Sequence, residues 1–383
     1  MKAACINAAL CVACFLYMPI RGTAHRAPRA PKRVVIVQMA KLGDMVCTTP
    51  LFRALKAAYP AVHLTVIGNT LNRDLLEGNQ DIDTYLAFRG IKETVRELRK
   101  GTYDFGCVVT PDLTALAVLY MAGVHSIAVP KVVNGYSPYE TFSYKLARLL
   151  MTQVPHRMGS YAPREYLRLL EPLGITAEDT TKHLAFAEED AHTAGRTLED
   201  LSIGEGQLII GMSPSSGNKI KHWPSERFAA VADHLIETYG AKILLIGTTR
   251  DAEEIAAMMH AVKNRLAVHN AQGMFPIGAL KALMKHLALF VAVDTGPIYI
   301  AEAFGTPTVD IVGPMDEWEQ PPQGEKNLVV TPPLPRTPQL HILNTRTYDT
   351  QEARRQSDAI SVRMVCIACD TLLQRTTLKD ASD

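Results

Sequence analysis

From Val34 onward the chain alternates short apolar runs with stretches whose apolar residues recur at helical spacing, and it does so in two successive series. Val34-Val35-Ile36-Val37 and Leu289-Phe290-Val291-Ala292-Val293 are apolar without a break, a composition a strand can carry when both of its faces are covered. Between such runs lie segments like Leu51, Leu55 and Ala58, or "SERFAAVADHLIETYG", which fit one face of a helix. Strand and helix in this order build a parallel sheet wrapped by helices. The first series has "RVVIVQM", "HLTVIGN", "FGCVVTP" and "SIAVP" as strands; the second has "QLIIGMSPSSG", "AKILLIGTT", "ALFVAVDTG" and "PTVDIVG". The expected class is α/β.

With 383 residues there is room for two domains of ordinary size, each with a core, and the pattern makes both doubly wound and Rossmann-like. The expected divisions are 1–33, an apolar segment and basic linker; 34–185, a first domain; 186–350, a second; and 351–383, a C-terminal helix. That helix, "AISVRMVCIACDTLLQ", is expected to pack back on the first domain. Residues 131–160 read as irregular, and the Pro-rich chain after Gly313 as lacking regular pattern.

Forty basic residues against thirty-nine acidic ones leave a net charge of +1, which excludes a whole-chain electrostatic attraction to nucleic acid. Of seven cysteines, Cys366 and Cys369 have a spacing shared by redox and metal sites, but no second ligand pair lies nearby. Buried helical thiols and a reducing compartment are the expectation. The apolar segment "AACINAALCVACFLYM" is shorter than the roughly 20 residues a spanning helix needs. Three readings stand: a signal peptide with Lys2 as its charge, a weak anchor held cytoplasmic by the basic "RGTAHRAPRAPKR", or a start further on. A cytoplasmic protein in peripheral contact with a membrane is favoured.

Two loops carry the chemistry of the second domain. Strand "LFVAVD" ends in Asp294-Thr295-Gly296-Pro297 and a helix begins at once; Thr295 suits a cap, Gly296 a close backbone approach and Pro297 a first turn. Such a helix end offers N–H groups and a positive dipole to an anion, although a capped helix without a ligand has the same residues. Facing it, "SPSSGNKIKHWP" brings Ser215, Ser216, Gly217 and Lys221, a set suited to a diphosphate and also to a solvated loop. A third strand end presents Asp251 where a ribose hydroxyl would be held. In the first domain, Gly43 and Asp44 follow the first strand, so a carboxylate stands where an anion is commonly bound; an N-cap on the next helix is the alternative role. Pro50 either opens or kinks that helix.

Four stretches, "KLGDMVCTTPLFRALKAAYP", "TYDFGCVVTPDLTALAVLYMAGV", "SPSSGNKIKHWPSERFAAVADHL" and "VDTGPIYIAEAFGTPTVDIVGP", together resemble the bacterial ADP-heptose:lipopolysaccharide heptosyltransferases, glycosyltransferase family 9. The resemblance covers roughly residues 33 to 320. It implies a GT-B type fold, two domains facing a cleft, with the nucleotide sugar on the second and the acceptor on the first. It implies an inverting, metal-independent transfer of heptose from ADP-L-glycero-D-manno-heptose to a lipopolysaccharide core acceptor, without a cofactor, at the cytoplasmic face of the inner membrane. Asp44 would be the base that takes the acceptor proton. Lys221, with the backbone N–H groups at 295 to 297, would stabilise the departing diphosphate.

Carried over onto matching positions, the donor contacts are Ser216, Gly217, Lys221, Asp251, Asp294, Thr295 and Gly296, with adenine near Met274 and Phe275. The chain departs from the family at Tyr299, where a histidine is usual, and at Asp251, one carbon shorter than the usual Glu. Tyr299 is still expected among the donor contacts, since its hydroxyl can donate to phosphate but brings no positive charge. Lys131 and Arg157, with Lys145, Arg148 and His156, are the basic residues available to an anionic acceptor. A different nucleotide sugar on the same fold and a non-catalytic relative remain alternatives; an NAD-linked dehydrogenase lacks its G-x-G-x-x-G.

Overall fold

The computed structural model describes residues 2–23 and 26–380; the Lys2 side chain, the charge of the signal-peptide reading, lies outside what is described. The chain forms two compact units, one of residues 1–182 with 341–346 and one of residues 183–340 with 347–383. The first contains a parallel sheet of β1 (Arg33–Val37), β2 (His63–Gly68), β3 (Thr84–Ala87), β4 (Phe105–Val108), β5 (Ser126–Asn134) and β6 (Thr152–Arg157), in the order β3-β2-β1-β4-β5-β6. The second contains β7 (Ile209–Ser213), β8 (Lys242–Leu245), β9 (Val268–Asn270), β10 (Leu289–Val293), β11 (Thr308–Ile311) and β12 (Asn327–Val330), in the order β12-β11-β10-β7-β8-β9. Counted from each unit's first strand, the two orders are the same. In both, the winding direction reverses beside the first strand: between β1 and β4, and between β7 and β10. Ligands of such sheets bind at the carboxyl ends of strands beside that reversal.

The inner strands are apolar runs because they are covered on both faces: Val34, Val35 and Ile36 of β1 and every residue of β10 are fully buried. Register is parallel throughout, with Ile36 opposite Val66 and Cys107, and Ala292 opposite Ser213 and Asp310. The region 131–160 is more regular than expected, since β5 runs on to Asn134 and β6 pairs with it through Arg157.

Both terminal segments are helical. The N-terminal helix Lys2–Arg21 packs on the helices Leu113–Ala122 and Phe142–Ala147, burying Cys11 and Cys14 in the first core. No helix among the described residues is long and apolar enough to cross a membrane. The C-terminal helix Val362–Asp380, expected to pack back on the first domain, belongs to the second unit, where it lies against the helix Ser225–Tyr239 and strands β10 to β12. The reason is its stripe Val365, Ala368, Cys369, Leu372 and Leu373, a helical repeat that completes the second core. Polar bonds fix it there, His234 and Tyr239 each meeting Asp370 Oδ1 at 2.9 Å. Burial pushes the Cys366 thiol up to about 11 and raises Cys369 well above its ordinary value, the state of packed rather than reactive thiols. The segment that rejoins the first unit is instead His341–Arg346, where Thr345 meets the Tyr139 hydroxyl at 3.3 Å and Arg346 lies 5.1 Å from the Tyr139 ring.

Candidate functional site

In the second unit the loops after β7 and β10 flank the reversal. β10 delivers Asp294, only 4% exposed, at its carboxyl end. Lys221, on the short turn Lys219–Lys221, places Nζ 2.6 Å from Asp294 Oδ2 and 3.4 Å from its backbone carbonyl oxygen. The other carboxylate oxygen accepts the hydroxyl of Tyr299, itself 2% exposed. An ion pair this dry holds because each charge has partners; removing one partner of such a pair costs about 3–5 kcal/mol. Asp294 thus fixes the Lys221 ammonium, and Tyr299 spends its hydroxyl on Asp294.

The helix Gly296–Ala303 begins at this point. Thr295 occupies the cap position with extended backbone (φ −146°, ψ 160°), but its side chain makes no capping bond. Pro297 has no N–H, and that of Ile298 is given to the Thr295 carbonyl at 3.1 Å. The donors expected at 295 to 297 therefore reduce to those of Thr295 and Gly296. The helix end is open to an anion, with the Lys221–Asp294 pair beside it.

The loop after β7 is braced from within. Ser216 Oγ donates to the Asn218 carbonyl at 2.9 Å, the Ser216 N–H donates to His222 Nε2 at 3.2 Å, and His222 Nδ1 lies 3.4 Å from Glu254. Gly217 is the exposed tip. Asp251 accepts the N–H and hydroxyl of Thr248 at 2.6 and 2.8 Å and a hydrogen bond from Ser215. Burial pushes its carboxyl up, but the Ser215 and Thr248 bonds outweigh that and hold it below the usual range. Phe275 is half-buried and Met274 exposed, in a loop tied to the one after β8 by Gly273 N–H to the Gly247 carbonyl, 2.9 Å. Neither belongs to the second core, so the pair sits at the carboxyl edge rather than in the interior.

Asp310, missed in the sequence, lies on β11 opposite Ala292 and is fully buried. Neither carboxyl oxygen meets a hydrogen-bond donor of the described residues. Burial, then the Asp294 carboxylate, raises its pKa well above the usual carboxyl value. The signal was available: one acid inside the apolar run "TVDIV".

In the first unit Asp44 is the third residue of the short helix Leu42–Val46, half-buried, and accepts the Lys41 N–H at 3.1 Å. Lys41 holds the cap position, so Asp44 reaches back to the helix start rather than capping it. Pro50 opens a separate helix, Thr49–Ala58. Buried Gln38 binds the loop together, donating to Thr48 Oγ1 at 3.2 Å and accepting from the Ala40 N–H at 3.2 Å and Thr110 Oγ1 at 3.5 Å. After β4, Asp112 caps the helix Leu113–Ala122 by accepting from the N–H groups of Thr114 and Ala115 at 2.7 and 3.1 Å.

Of the basic residues expected to meet an acceptor, Lys131, Lys145 and Arg157 are exposed. Arg148 is committed to a buried pair with Glu140, and His156 is buried beside Tyr166 at 6.2 Å. A cavity of about 250 Å³ at the end of β3 is lined by Arg73, Arg89 and Arg96, which the sequence did not single out, together with Glu93 and Glu97.

A family model described as glycosyltransferase family 9 (heptosyltransferase) matches residues 91–347. Lipopolysaccharide heptosyltransferase 3 of Escherichia coli strain K12 is 23% identical over 287 residues, 72% of this chain and 80% of its own. The solved glycosyl transferase family 9 protein of Veillonella parvula DSM 2008 superposes with a TM-score of 0.73 at 24% identity, over 90% of this chain and 97% of that one. The solved E. coli ADP-heptose lps heptosyltransferase II gives 0.70 at 19% identity, over 90% and 99%. At these identities the solved structures establish a shared fold, the two-unit GT-B architecture.

Proposed function

This chain belongs to glycosyltransferase family 9, the heptosyltransferases, and from that premise we propose that it moves heptose from ADP-L-glycero-D-manno-heptose to a lipopolysaccharide core acceptor at the cytoplasmic face of the inner membrane. It is a glycosyltransferase. The observation that carries the donor half is the uncapped helix end at Gly296 with Lys221 held beside it at 2.6 Å from Asp294. A diphosphate arriving there meets an ammonium already positioned and two backbone donors. As the bond to the sugar breaks, negative charge gathers on the leaving diphosphate and these groups stabilise it more than they stabilise the ground state.

The acceptor half rests on Asp44. A half-buried carboxylate beside the reversal of the first sheet, oriented by the Lys41 N–H, can take the proton of an attacking hydroxyl. The reaction is then a single inverting displacement in which one base suffices, and no metal is assigned a role. Lys131 and Arg157 are proposed for the anionic acceptor; Ser216, Gly217, Asp251 and Phe275 for the donor's phosphates, ribose and base. The E. coli relative of known structure is named for ADP-heptose and lps, in agreement with this choice.

A second reading, the same transfer from another nucleotide sugar, draws on Tyr299: where the family usually has a histidine, this hydroxyl is committed to Asp294. The test of the first reading is ADP release from ADP-heptose with a core acceptor. Asp44→Asn is expected to lower kcat by roughly 10²–10⁴-fold, with ADP-heptose affinity unchanged by calorimetry. Wild-type turnover in that variant places the base elsewhere; preference for a uridine or guanosine diphosphate sugar replaces the first reading with the second.

A further inference from the structure

Charge sets the first 43 residues apart from the rest. They contain seven Lys and Arg and no Asp or Glu, the first acid being Asp44, so the remaining 340 residues carry a net −6 beneath the overall +1. The helix Lys2–Arg21 within this segment is seated on the first unit. Cys11 and Cys14 are buried with Leu10 and Tyr17 against its neighbours; Arg21 Nε donates to the Tyr120 carbonyl at 3.3 Å and the Tyr120 hydroxyl to the Gly22 carbonyl at 2.6 Å.

Its other side is bare. Ile6, Val12, Leu16 and Ile20 are 56, 57, 72 and 84% exposed, Phe15 and Met18 stand beside them, and no charged residue lies between Lys2 and Arg21. A helix that rests on a protein with its outer side in water normally carries polar residues there. The chain then continues through Arg26, Arg29 and Lys32, all exposed. The helix Phe142–Ala147, packed against this one, and the turn after it add exposed Phe142, Lys145 and Leu149.

We propose that this element docks the first unit onto an anionic lipid bilayer. The helix lies in the plane of the interface with Val12, Leu16 and Ile20 in the acyl boundary, and Arg26, Arg29 and Lys32 meet lipid phosphates. It is not long and apolar enough to cross. Charge selects the bilayer over a second copy: a two-fold pairing through this face would set two strongly basic segments together, whereas anionic headgroups neutralise them. The inference rests on the membrane location in the proposed function and deepens it by naming the docking element; lipid binding is read without turnover, so its failure is distinguishable from failure of the transfer reaction.

The experiment is cosedimentation of the full chain with vesicles of phosphatidylglycerol and phosphatidylethanolamine, and with phosphatidylcholine alone. Binding to the anionic vesicles that weakens with salt is expected, with little binding to phosphatidylcholine. The combined variant Arg26→Gln, Arg29→Gln, Lys32→Gln should bind on the order of 10²-fold more weakly. Val12→Gln, Leu16→Gln, Ile20→Gln should abolish the salt-resistant part, and Leu16→Trp should gain a blue-shifted emission with anionic vesicles alone. These side chains point to solvent, so far-UV dichroism and melting should match wild type. The proposal is overturned if wild type ignores anionic vesicles, if both combined variants bind as wild type does, or if ultracentrifugation finds a dimer that the aliphatic variant dissociates.

Discussion

The two sheets share one strand order, yet their reversals are equipped with opposite chemistry. After β4, the helix Leu113–Ala122 starts under its own carboxylate, Asp112, which accepts two of its free N–H groups. After β10, the equivalent helix Gly296–Ala303 starts with Thr295 making no such bond. After β1 comes Asp44; after β7 comes Lys221. One frame has filled its anion site with an aspartate and added a second carboxylate, while the other keeps the site open and brings an ammonium to it. The fold supplies the place, and a few side chains at loop ends decide whether carboxylates or an ammonium stand there.

The largest way to break this contrast is to remove the ammonium. Lys221→Met should lower kcat/KM by roughly 10²–10³-fold and also destabilise the protein by about 3–5 kcal/mol, because Asp294 stays buried without its partner. Adding Asp294→Asn should restore the urea midpoint but not the turnover, which separates the two effects. A smaller change converts one unit into the other: Thr295→Asp gives the second helix the cap the first one has. Donor Kd should rise roughly tenfold while stability holds or improves by up to about 1 kcal/mol, opposite signs in calorimetry and melting. A shift of both in the same direction would remove the contrast.

The smallest effect sharpens it by pH. β5 has no acidic residue, whereas β11 has Asp310. Asp310 has a raised pKa in the folded protein, so its contribution to stability is present below the ordinary carboxyl pKa and is lost as pH rises toward the folded value. Asp310→Asn cannot ionise. Relative to wild type it should gain stability in urea melts at neutral pH compared with melts near pH 4.

Legibility followed burial. The eight strands readable from the sequence are β1, β2, β4, β5, β7, β8, β10 and β11, and the four that were not, β3, β6, β9 and β12, are the edges of the two sheets. An inner strand must be apolar on both faces, whereas β3 is half-exposed along its length, β9 has three residues and β6 contains Pro155. Edge strands are held by a neighbour's register, which local composition does not record. The C-terminal helix fails differently: its stripe was visible, but a stripe says that a face is buried and not against what.

The residues themselves, by type and order, determined the α/β class, the doubling of the fold, and most of the positions gathered at the two reversals, since apolar runs and strand-end loops are local patterns. Only the tertiary structure decided that Lys221 pairs with Asp294, that Tyr299 faces Asp294, that burial raises the Asp310 pKa and that Arg148 and His156 are buried. Those outcomes depend on distance between strands far apart in the chain, and on the loss of water around them, neither of which any stretch of sequence carries alone.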